Sequence, residues 1–282
     1  VARPFLSLLV AAVASAGGLV LTSVGAVTHY GLTAVGRSGE TIGPAVAALA
    51  GIALVGLAAG SLAIHWVGAL LLGGVHALLG LLALVAPFGN PFAGGIFSPV
   101  FQITRMLGTF DRVLSEEAAV FFFSGTALIV GAFLSAAALG IRSRRVSGWS
   151  TRRAVALSST VGAAALTVAV ALHLVAGGHL SVSVLQFMRY DAGFAALTVV
   201  AGVFAGLAGL LLRWSSLGVF IVSGIVLIAG IATFLLPVPP QFEGRLITGY
   251  GMLAVAGATF VGAALGGLAR SADEVTEDPE PL

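Results

Sequence analysis

In a chain this apolar, the residues able to do chemistry are the few ionisable groups set inside hydrophobic runs. An unpaired charge there is costly, and a proton or a ligand can offset the cost. The sequence places His76 near the middle of such a run, where an imidazole either bonds a neighbouring helix or meets a polar solute. His29 and His173 stand near the ends of two other runs, and His179 follows the second. Histidines at related positions can ligate a haem or a metal ion, but the chain has no cysteine, and no carboxylate accompanies either histidine at ligand spacing. The expectation is a polar or solute-contacting role for His76, His29 and His173, with no metal and no cofactor.

The same search removes most reaction classes. Every basic residue is arginine, so the Schiff-base lysine of a retinal protein is absent. There is no glycine-rich phosphate loop ending in Lys and Ser or Thr, no His-Glu-x-x-His and no Gly-x-Ser-x-Gly turn. No carboxylate or arginine falls inside a run, which argues against proton or sodium coupling. A lipid-modifying enzyme would have to gather Arg105, Asp111, Arg112, Glu116 and Glu117, all expected at the outer surface. The chain is expected not to be an enzyme.

Whatever these groups do, helices that cross a bilayer must position them. Hydrophobic residues make up 59 % of the 282 and charged residues 9 %, and the mean hydropathy is +1.11. A crossing needs about 20 apolar residues. Eight runs of that order are present, at 5–30, 43–64, 67–86, 118–141, 154–176, 193–212, 217–236 and 247–268. The first begins like a signal peptide, but its apolar stretch continues to Val27, which favours a retained helix. The fold class read from these runs is all-α, a polytopic integral membrane helix bundle of eight transmembrane helices.

Between the third and fourth runs Ser98-Pro99 has the form of a helix start. Beyond it Ile103, Met106, Leu107, Phe110, Val113 and Leu114 recur at steps of three and four, predicting an interfacial amphipathic helix over 98–116. Such a stripe serves equally for a helix lying in lipid and for one packed on the ends of the bundle. The loop 142–153 carries Arg142, Arg144, Arg145, Arg152 and Arg153, which by the positive-inside rule sets it and both termini in the cytoplasm. Those arginines are also the expected contact for anionic lipids, whereas nothing in their arrangement suits nucleic acid. The acidic stretch 271–282 is expected to be a disordered cytoplasmic tail. The arginine-only basic set with heavy Ala, Gly and Val usage points to a prokaryotic plasma membrane.

The runs read as a repeat. Hairpins turn at His65-Trp66 and at Arg213-Trp214 and end near Pro87 and Pro237. Gly125, Gly131 and Gly140 in the fourth run keep the spacing of Gly251, Gly257 and Gly266 in the eighth. This predicts two parallel four-helix repeats, 1–141 and 154–270, related about the membrane normal. Gly56 with Gly60, Gly202 with Gly206 and Gly262 with Gly266 are spaced for close helix packing. Two functions fit. One is a non-catalytic scaffold or subunit of a larger complex, docking a membrane protein partner or a second copy through its glycine faces. The alternative is a carrier or binding protein for a small neutral or lipidic solute between the repeats, not ion-coupled.

Overall fold

The structure is a computed structural model that describes residues 2–85, 99–143, 152–185, 191–236 and 245–276. Those residues form an all-α bundle with no strand among them. Its helices are α1 (Ala2–Ala34), α2 (Ile42–Gly60), α3 (Trp66–Val85), α4 (Pro99–Phe110), α5 (Arg112–Phe123), α6 (Thr126–Arg142), α7 (Arg152–Leu185), α8 (Ala192–Leu211), α9 (Leu217–Leu235), α10 (Arg245–Gly249) and α11 (Met252–Thr276). Seven of them, α1–α3, α7–α9 and α11, are long and apolar enough to cross a membrane; α5 and α6 together make an eighth candidate, bent by 63°. The protein is a multi-pass helical membrane protein.

The bundle is built inside out relative to a soluble domain. Ile228 is 70 % exposed and Val203 67 %, as lipid-facing side chains should be. Lipid tails are as apolar as leucine, so the helices gain little by hiding leucine from lipid and cohere through close backbone packing instead. Small residues therefore fill the interior. The spanning part of α11 is 72 % buried against 28 % for α7 and for α9, which makes α11 a central helix. Its neighbour at the centre is α6, and Phe133 of α6 meets Phe260 of α11 with ring centroids 4.6 Å apart.

The helices pair in order: α1 lies along α2, α3 along α6, α7 along α8 and α9 along α11. Between the stretches 2–143 and 152–276, α2 crosses α11, α8 crosses α6, and α6 meets α11. The individual contacts recur as well. A Cβ on Gly80 would strike the backbone of Leu128, and one on Gly230 that of Ala254. Gly131 closes on Ala77 as Gly257 does on Leu227, and Gly140 on Leu210 as Gly266 does on Gly60. Ser7 lies on Gly68, its hydroxyl donating to the His65 carbonyl at 2.6 Å; Ser159 lies on Gly218 and bonds the Ser215 hydroxyl.

Two features differ from the sequence reading. The amphipathic stretch 98–116 is not one helix: Asp111 breaks it and caps α5, its Oδ1 accepting from the Val113 amide at 2.7 Å. Within α4 the packed residues are Val100 and Thr104, while Met106 (63 %) and Phe110 (82 %) stay exposed, so part of the apolar stripe is turned away from the bundle. The fourth span is also discontinuous. Ser124 and Gly125 interrupt it, with Gly125 in the left-handed region at φ 83°, and Gly251 does the same between α10 and α11 at φ 71°.

Candidate functional site

The two breaks lie where the fourth and eighth runs carry their matched glycines, and polar groups gather beside them. At the first break the Ser124 hydroxyl is 2.8 Å from that of Thr126 and accepts from the Thr126 amide at 3.2 Å. This side-chain acceptor serves one of the amides that the start of α6 leaves without a helical carbonyl. Thr126 Oγ1 in turn lies 3.1 Å from His173 Nε2 of α7. His173 is 2 % exposed, and its Nδ1 has no partner among the described residues.

Tyr250 stands at the second break, its ring 5.3 Å from that of Tyr30. It lies within electrostatic reach of Glu116 and Glu117. Glu117 corrects the sequence reading, which set it on the outer surface: it is 3 % exposed, and its Oε2 finds no hydrogen-bond donor among the described residues. Glu116 shows why sequence pattern missed this. The adjacent carboxylate is half-buried and pairs with the exposed Arg112 at 2.8 Å, so two neighbouring acids on one helix have different surroundings. A buried carboxylate left charged and alone costs several kcal/mol, and a neutral buried polar group without a partner about 1–3 kcal/mol.

Deeper in the bundle, His76 of α3 donates Nδ1–H to the Leu72 carbonyl at 2.8 Å and meets the ring of Phe121 edge-on at 5.6 Å. Beside them is a cavity of about 10 Å³, walled by Ser15, Leu19, Leu72, His76, Phe121 and Thr259 among others. That is room for about one water molecule. The walls come from α1, α2, α3, α5, α6 and α11, so the cavity sits where α11 meets the helices of the first 142 residues.

His29, the third candidate histidine, does not join this group. His29 Nδ1 is 3.4 Å from the Thr41 carbonyl, and its ring rests on Phe234 at 4.7 Å. His29 and His173 are also out of register. The contacts of Ser7 and Ser159 align α1 with α7 so that His29 falls opposite Ser181 and His173 opposite Leu21, about two turns from a His29–His173 match. Among the described residues no three His, Asp or Glu side chains are grouped to hold a metal ion.

All six glycines singled out for packing lie at helix crossings within the chain. Gly56 and Gly60 of α2 face Gly262 and Gly266 of α11, while Gly202 and Gly206 of α8 face Leu128 and Ala132 of α6. At one end of the bundle the Arg142 guanidinium lies 4.7 Å over Trp66 and Arg213 3.6 Å over Trp214, cation–π pairs of the kind that suit a membrane interface. Arg144 and Arg145, the side chains of Arg152 and Arg153, the stretches 86–98 and 237–244 and the tail from 277 lie outside the described residues. No protein-family model, curated protein or solved structure matches the chain.

Proposed function

We propose that the protein is a non-enzymatic carrier or binding protein for a small neutral or lipidic solute, which it takes up between two duplicated halves. The observation that carries this reading is the pair of helix breaks at Gly125 and Gly251, at matching places in the two halves and beside buried polar atoms with no partner among the described residues. Interrupted spans at corresponding positions expose backbone groups in the membrane interior, which is worthwhile where a ligand meets them. The recurring contacts of Gly80 with Leu128 and Gly230 with Ala254 support a duplication about an axis along the membrane normal. The docking-scaffold reading receives less support, because the glycine faces it would use are closed within the chain. With a cavity of about 10 Å³, the solute site is closed in this arrangement, and binding requires the halves to part.

In this reading the protein lies in a prokaryotic plasma membrane with both termini cytoplasmic, and Arg142, Arg144, Arg145, Arg152 and Arg153 meet anionic lipid. Native mass spectrometry of the full chain, extracted from its host in mild detergent, tests the function. A bound small molecule or lipid at fixed stoichiometry is expected, and His76→Phe should lose it while keeping the fold. A stoichiometric protein partner with no such adduct would instead return the scaffold reading.

A further inference from the structure

Glu117 is closed into the bundle, and none of the described side chains neutralises it. On its own helix Arg112 is occupied by Glu116 and its side chain is 90 % exposed. From α1, His29 is turned to Thr41 and Tyr30 to Tyr250; from α3, His76 uses Nδ1 on the Leu72 carbonyl. From α4, Arg105 is exposed; from α7, His173 faces Thr126 and His179 stacks on Phe194 at 4.0 Å. Tyr250 approaches from the second break and brings a phenol, which is no counter-charge. A metal ion needs several oxygen or nitrogen ligands, and no such group of side chains is present among the described residues. A proton needs one carboxyl oxygen.

The position of this carboxyl on the backbone gives it leverage. It lies on α5, about two turns ahead of the Ser124–Gly125 break at which α5 bends by 63° from α6. Asp111 separates α5 from α4 at the other end, so the helix is a short arm between two breaks. With the arm laid on the bundle Glu117 is buried; a swing of the arm about Gly125 would return it to water. In sequence, Glu243 precedes Gly251 by the same spacing as Glu117 precedes Gly125, so the second half carries a carboxylate at the matching place.

We propose that Glu117 is a proton-binding site that links closure of the bundle to proton uptake. The carboxylate takes one proton from the aqueous phase to become the neutral acid as α5 closes, and releases it as α5 opens. Solute binding between the halves is then proton-linked, which rests on the carrier reading and replaces the sequence expectation of no ion coupling. Glu117 acts here as the proton-holding group, while Ser124 and Gly125 position it.

The test uses the full-length protein in lipid nanodiscs and two readouts that need no solute. Infrared difference spectra across a pH titration should show the carbonyl stretch of a buried protonated carboxyl. Glu117→Gln should lose that band, Glu117→Asp should shift it, and Glu116→Gln should leave it in place. In parallel, spin labels on Val35→Cys and Phe110→Cys, introduced into a chain with no native cysteine, should move to longer separation as pH rises. With Glu117→Gln added, the separation should stay short at every pH. A band that survives in Glu117→Gln, no band in the wild type, or an unchanged pH response of the label distance in Glu117→Gln would each overturn the proposal. If instead these readouts behave as stated while no solute is ever found bound, the carrier reading fails and the proton site stands.

Discussion

At the scale of single residues, burial leaves several polar atoms with no partner among the described residues. His173 keeps a hydrogen bond through Nε2 to Thr126 and none through Nδ1. Thr126→Val should therefore leave both ring nitrogens bare and lower stability by about 1–3 kcal/mol, read as a fall in the detergent-solubilised melting temperature. An unchanged melting temperature would mean that another group already serves the imidazole. Sequence pattern made His76 and His173 visible as candidates because each interrupts an apolar run. It did not reveal Glu117, because Glu116 and Glu117 fall at the junction of the expected interfacial helix and the fourth run and read as outer-surface charges, and the bend beside the last of them lies several residues downstream. The register of His29 against His173 was hidden for a different reason. Both lie on long, uniformly apolar helices, and their relative slide is fixed by the serine contacts of Ser7 and Ser159 rather than by any periodicity.

At the scale of elements, glycines separate into those that admit another helix and those that face open space. Gly80 and Gly230 are in the first class, since a Cβ on either would strike a neighbouring backbone. Gly74 and Gly224 are in the second, with nothing within 4 Å of a Cβ. Gly80→Val and Gly230→Val should each destabilise by roughly 1–3 kcal/mol or abolish folding. Gly74→Ala and Gly224→Ala should be neutral or stabilise by up to about 1 kcal/mol through helix propensity. Thermal unfolding of the four variants checks both the packing and its recurrence, and a large difference between Gly80→Val and Gly230→Val would count against equivalence of the halves. The spans and the hairpins at His65-Trp66 and Arg213-Trp214 were legible because length and apolarity fix them. The break at Ser124–Gly125 was not, because Val120–Phe123 and Ala127–Val130 join into one apolar run, and a lone glycine in such a run is usually tolerated without breaking the helix.

At the scale of the whole molecule, the proposed function requires two related halves that close over a site near His76 and part to admit solute. Since the chain has no native cysteine, single cysteines report access cleanly. Ser143→Cys and Val35→Cys, both at exposed positions, should react with a membrane-impermeant thiol reagent from opposite sides of the membrane and so fix the orientation. The decisive position is Thr259, 1 % exposed and on the wall of the cavity beside His76. In reconstituted vesicles, Thr259→Cys should be modified slowly by the same reagent, with a rate that rises as pH is raised and α5 opens. No modification of Thr259→Cys from either side, under conditions where Ser143→Cys and Val35→Cys react fully, would contradict a carrier whose halves part.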